Sequence, residues 1–181
     1  MHTKTVALEV KAVGTTGGLT EGQFTGYASV FGNVDSYGDV VERGAFTRTL
    51  TEWAGKPASI PVLWGHDMND PFANIGALDH AEEDERGLKV TGTIDLENPT
   101  AAQVYRLLQS GRVSSMSFAY LIKESERRGS ANHLLDLDLL EVSIVSVPAN
   151  TEALILDVKA RTIPVPGSRA RALLRIAGLQ R

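Results

Sequence analysis

His133-Leu134-Leu135-Asp136-Leu137-Asp138-Leu139-Leu140-Glu141-Val142-Ser143-Ile144-Val145-Ser146-Val147 carries the reading on which the fold turns. Leu135, Leu137 and Leu139 alternate with polar residues, so they share one face of a strand of period two. After Leu139 the apolar set moves to Leu140, Val142 and Ile144. A phase shift inside one strand predicts a bulge or bend near Leu139–Leu140, a device common in barrels and beside active sites. Glu141 follows directly, hemmed in by Leu140, Val142 and Ile144. A carboxylate in an apolar setting needs a dedicated partner. A structural salt bridge and the orienting of a catalytic histidine both meet that need.

Upstream, Val113-Ser114-Ser115-Met116-Ser117-Phe118-Ala119-Tyr120 predicts a second strand. Met116, Phe118, Tyr120 and Ile122 share one face, and Val113, Ser115, Ser117, Ala119 and Leu121 the other. Around Ser117 the second face is low, because Ser115 and Ala119 are small. A serine nucleophile needs such clearance for a peptide to lie across it, although small residues seated against a neighbouring helix give the same pattern.

The rest of the chain extends the β pattern. Strands are expected at Thr5–Ala12 and Gln23–Phe31, joined across the glycine-rich Gly14–Gly18, and at Ser59–Trp64, Gly87–Ile94, Arg112–Ile122 and Leu134–Val147. Two helices interrupt them. Gly44–Ala54 places Ala45, Phe46, Leu50, Trp53 and Ala54 near one face, and Gly55 and Pro57 stop it. Asn98–Ser110 has a capping Asn98, Pro99 at the first helical position and Gly111 at its end, with Ala101, Val104, Leu107 and Leu108 as its buried stripe. Short strands with few helices predict a mainly β fold with flanking helices, an antiparallel sheet closed into a barrel or sandwich.

The chain has 181 residues, of which 43% are hydrophobic and 22% charged, enough to bury a core and too ordinary for a disordered chain. It has no cysteine, which excludes disulfides, thiolate metal sites and thiol nucleophiles. Neither a long apolar run nor a signal-peptide pattern appears, so a soluble, intracellular protein without a membrane role is expected. Residues 159–181 hold Lys159, Arg161, Arg169, Arg171, Arg175 and Arg181 and no acidic residue, while the remainder holds 12 basic against 22 acidic side chains. An acidic body with a basic tail argues against nucleic acid as a partner. Pro164, Pro166 and Gly167 precede a short basic amphipathic helix at Arg169–Leu179. The expected division is a domain at 1–158 and an attached segment at 159–181.

Four histidines are candidates for proton transfer: His2, His66, His80 and His133. Histidine is the side chain suited to exchanging a proton near neutral pH. Only His66 ends a strongly apolar strand, Ile60-Pro61-Val62-Leu63-Trp64-Gly65-His66-Asp67. A hydrogen-bonded structural histidine, a general base, and a metal ligand with Asp67 and Asp70 all fit that position. No recognised ligand spacing supports the metal, so neither metal nor cofactor is expected. Asn33-Val34-Asp35-Ser36-Tyr37-Gly38-Asp39 fails as a calcium loop, since Tyr37 takes the third ligand position and Gly44 the twelfth. A turn leading into the first helix explains it.

Five pieces in fixed order resemble the phage prohead proteases of the HK97 type, capsid-maturation serine proteases related to the herpesvirus assemblins. They are Gly26-Tyr27-Ala28-Ser29-Val30-Phe31 with Asp35, Gly38-Asp39-Val40-Val41 and Gly44-Ala45-Phe46; Val62-Leu63-Trp64-Gly65-His66-Asp67; Ile75-Gly76; Ser115-Met116-Ser117-Phe118; and Leu140-Glu141-Val142-Ser143-Ile144-Val145 with Val147-Pro148-Ala149-Asn150. The resemblance spans residues 22–157 and implies a closed antiparallel β-barrel of the herpesvirus-protease type. It also implies His66 as general base, Ser117 as nucleophile and Glu141 as the orienting acid, with His133 the alternative third member by analogy to the herpesvirus branch. One departure is Ala119, where the family often has glycine.

The chemistry of those side chains agrees. A serine hydroxyl attacks only when a base removes its proton, and a carboxylate holds the imidazole in the right tautomer. The biology implied is an endopeptidase inside the procapsid in the host cytoplasm, cutting the major capsid protein or its scaffold segment and then itself, with a homodimer also implied. The competing expectation is a non-catalytic assembly module of the same fold.

Overall fold

The long strand β7 (Ala131–Val145) organises the molecule, and the computed structural model describes residues 18–159 around it. The elements in chain order are β1 (Gln23–Val30), β2 (Asp39–Val41), α1 (Thr47–Ala54), β3 (Pro61–Trp64), β4 (Asn74–Glu83), β5 (Gly87–Ile94), α2 (Pro99–Gln109), β6 (Ser115–Arg128), β7 and β8 (Ile155–Val158). The expected strand at Thr5–Ala12, most of the Gly14–Gly18 connection and nearly all of the basic segment 159–181 with its helix lie outside the described residues.

One edge of β7 carries β6 as a long antiparallel hairpin. Its other edge carries two parallel partners, β2 at Asn132–Leu134 and β3 at Val142–Ile144. The sheet runs β2-β7-β3-β4-β5-β1-β8, with β6 beside β7. This corrects the expectation of a closed antiparallel barrel. Two pairings are parallel, and the sheet is an open half-barrel. Where closure would need β8 against β6, the described residues form the single bridge Ser115↔Leu154. β8 has four residues and pairs with β1 through Phe24, Thr25 and Gly26.

The predicted bulge is present. Ala119 pairs with Glu141 and Tyr120 with Leu139, so Leu140 is left without a partner on β6. The first helix takes up the backbone groups around that slip. Thr49 Oγ1 accepts from Leu139 N at 3.1 Å, and Trp53 Nε1 donates to Leu139 O at 2.8 Å. That helix starts at Thr47 rather than Gly44, because Gly44 turns the chain at φ +97°. Ala45 and Phe46 are still fully buried, in the turn before it.

The second helix follows its sequence signals. Asn98 Oδ1 accepts from Thr100 N at 2.9 Å, Pro99 opens the helix, and Gly111 follows it at φ +67°. Ala101, Val104, Tyr105 and Leu108 are buried, Tyr105 taking the place expected for Leu107. Both helices cover a core built on Phe24, Phe46, Val62, Ile75, Leu88, Met116, Leu137 and Ile144. The unexpected strands are β2, β4 and β8. β4 was hidden by its exposed Asp79, His80 and Glu82.

Candidate active site

β7 lies between β3, which leads to His66, and β6, which carries Ser117. Gly65 and His66 follow β3 with φ of +66° and +63°. Glycine adopts that conformation freely, whereas for histidine it costs roughly 1–2 kcal/mol. Two bonds to β7 hold the turn: Gly65 N donates to Ile144 O at 3.1 Å, and His66 N donates to Ser143 Oγ at 3.0 Å. The turn returns the imidazole to β7, where Nδ1 lies 2.6 Å from Glu141 Oε1.

Glu141 is 1% exposed, and each carboxylate oxygen has a partner. Oε1 faces the imidazole, and Oε2 accepts from Ser143 Oγ at 2.5 Å. Ser143 is itself fully buried. Its hydroxyl therefore joins the backbone of His66 to the carboxylate that faces the His66 ring. With Nδ1–H given to the carboxylate, Nε2 is the nitrogen left to act as a base.

Across the hairpin, Ser117 pairs with Ser143 and Ala119 with Glu141. Directly opposite residues of an antiparallel pair share a face, with Cβ atoms about 4.5–5.5 Å apart. Ser117, Ala119, Glu141 and Ser143 consequently lie on one side of the sheet, where the small Ala119 stands opposite the carboxylate. Ser117 and His66 line one cavity of about 200 Å³. Asp39 and Tyr120 line it too, joined by a 3.2 Å hydrogen bond from the phenol. Burial and the Asp39 carboxylate hold the Tyr120 phenol well above its ordinary range.

Other candidates have separate partners. His133 Nδ1 lies 2.6 Å from Glu42 Oε1, and that carboxylate also takes Arg128 Nη1 at 2.9 Å. His80 is exposed, 3.5 Å from Glu82, and His2 lies outside the described residues. Asp67 Oδ1 accepts from Asn69 N and Asp70 N, while Asp70 Oδ1 caps Phe72 N, so both serve a turn. Among the described residues, no group of three or more histidine and carboxylate side chains is placed to hold a metal ion. Asp35 Oδ1 closes its loop on Tyr37 N and Asp39 N at 2.8 and 3.0 Å. Sequence reasoning missed Ser143. Its signal was available, since it lies two residues beyond Glu141, on the same face, among valine and isoleucine.

Comparison with known proteins gives the family. The family described as Caudovirus prohead serine protease matches residues 7–165. The prohead protease of Enterobacteria phage HK97 is 30% identical over 160 residues, covering 87% of this chain and 69% of that protein. The prohead protease of Escherichia phage T5 is 28% identical over 123 residues, 66% of this chain and 55% of that protein. Among solved structures, the bacteriophage T4 capsid assembly protease shares the fold with a TM-score of 0.55 at 10% identity, over 70% of this chain and 82% of that one. A family match over most of the length, joined to 30% identity with the HK97 protein, places the chain in the caudovirus prohead serine protease family, as a serine protease of capsid maturation.

Proposed function

We propose that this protease is an endopeptidase that cuts capsid or scaffold protein, and itself, inside the procapsid, with Ser117 as nucleophile, His66 as general base and Glu141 as the acid that orients it. The observation that carries the reading is the chain of contacts Ser143–Glu141–His66 beside a cavity that Ser117 also lines. A histidine held in left-handed backbone with a buried carboxylate on Nδ1 is costly for folding alone, and such costs concentrate at functional sites.

The steps follow from the side chains. Ser117 Oγ attacks the scissile carbonyl carbon while His66 Nε2 takes the hydroxyl proton. The imidazolium so formed is stabilised by Glu141, whose burial keeps water from weakening that interaction. As the tetrahedral intermediate collapses, Nε2 returns the proton to the leaving amine. A water molecule, activated the same way, then releases the acyl group from Ser117. His133 is engaged with Glu42, which favours Glu141 as the third member. Capsid protein enters as substrate through the likeness to the HK97 prohead protease and the T4 capsid assembly protease, and scaffold through the resemblance of the sequence.

The test is co-expression with the phage's major capsid protein, comparing wild type with Ser117→Ala by intact mass. Capsid fragments and self-cleavage products present in wild type and gone in the variant are expected. Fragments that persist in Ser117→Ala would overturn the assignment of the nucleophile.

A further inference from the structure

Ser29 is a polar side chain of the cavity that the mechanism above leaves without work. It is fully buried, it lines the cavity with Ser117 and His66, and its Oγ has no hydrogen-bond partner among the described residues. A buried hydroxyl without a partner bears the whole cost of its lost hydration. Its position is also irregular. Successive residues of a regular strand point to opposite faces, yet Ala28 and Ser29 both line the cavity. The register of β1 against β5 slips between Tyr27 and Ser29, and such a slip re-aims a side chain.

The surroundings define what the hydroxyl meets. Asp35 and Asp39 line the same cavity, and none of its lining residues is lysine or arginine. Both Asp39 oxygens and Oδ1 of Asp35 take hydrogen bonds from neutral groups, which leaves their charge uncompensated there. Val41, Met116 and Phe118 supply apolar wall for the stem of a side chain. A carboxylate head would be repelled from such a site, and an apolar head would leave Ser29 unpaired.

We infer that Ser29 is a specificity-determining residue, whose hydroxyl accepts a hydrogen bond from an amide or cationic side chain flanking the cleaved bond. This rests on the proposed reading of Ser117 and His66 as the reacting pair. Substrate binding then supplies the partner that the folded chain withholds.

The experiment uses the full-length chain as wild type, Ser29→Ala and Ser117→Ala. A mixture of synthetic peptides is digested, and the preferred position is then varied as Gln, Met and Glu in matched peptides. Wild type is expected to favour Gln over Met about tenfold and to cut Glu least. Ser29→Ala is expected to lower kcat/KM about tenfold for the Gln peptide and to leave the Met peptide within about twofold. Its Tm should equal or exceed that of wild type, because an unpaired buried hydroxyl has been removed. A uniform loss across the peptides, an unchanged Gln preference or a lower Tm would overturn the inference. Cleavage that survives in Ser117→Ala would instead overturn the nucleophile, whatever Ser29→Ala does.

Discussion

Glu141→Gln keeps the volume of the side chain and removes its charge, which makes it the sharpest probe of the site. Two donors converge on the carboxylate, His66 Nδ1 at 2.6 Å and Ser143 Oγ at 2.5 Å. Glutamine offers one oxygen in place of two. If its NH2 group faces His66, Nδ1 must accept, the ring proton moves to Nε2, and the base is lost. If it faces Ser143, the tautomer survives, but no anion stabilises the imidazolium. Both arrangements slow attack, and the corresponding change in a serine protease triad costs about 10⁴ in kcat. At 1.36 kcal/mol per decade that is about 5.5 kcal/mol of transition-state stabilisation. Folding should suffer less, by about 1–3 kcal/mol, for one imperfectly satisfied buried group. The assay is the rate of capsid-protein cleavage by the purified variant, with circular dichroism and Tm as controls for the fold. A folded Glu141→Gln protein within about tenfold of wild-type kcat would refute the orienting role.

Two further outcomes are expected. Ser143→Ala removes the donor to Glu141 Oε2 and the acceptor for His66 N, so it should destabilise by about 1–3 kcal/mol and lower kcat by about 10²-fold through misplacement of the imidazole; an unchanged kcat would show that the hydroxyl only packs. Tyr27→Phe removes the phenol that donates to Asp84, the main cause that holds this carboxyl below its usual range, ahead of the backbone N–H groups of Arg86 and Gly87. A lowered folded pKa contributes stability above the unfolded value near 4, and that contribution is lost as pH falls through the folded value. Tyr27→Phe should therefore be about 1 kcal/mol less stable at pH 7, with the gap closing on acidification in urea titrations; a gap independent of pH would argue against the Asp84 linkage.

Much of this protein was legible from local pattern. The Asn98-Pro99 start and the Gly111 stop of the second helix each depend on groups within one turn of that end. The phase shift at Leu139–Leu140 exposed the bulge because side-chain period is a property of a single strand. The resemblance supplied His66, Ser117 and Glu141, and the hemmed-in Glu141 announced its need for a partner. The partner's identity was not local. His66 and Glu141 meet because β3 runs parallel to β7, and parallel pairing requires a long crossover that no short stretch encodes.

Charge and hydrophobicity alone also concealed an interior strand. β4 alternates weakly, with its exposed acidic residues, and is a strand because β3 and β5 flank it on both sides. Sequence determined that the chain is mainly β, where its second helix begins and ends, and which three side chains to watch. Tertiary structure alone decided that the sheet stays open, that Ser143 binds both Glu141 and the His66 backbone, and that Ser29 is buried at the cavity with no hydrogen-bond partner among the described residues. Each of those depends on distances between strands remote in the chain, which packing sets and local periodicity does not.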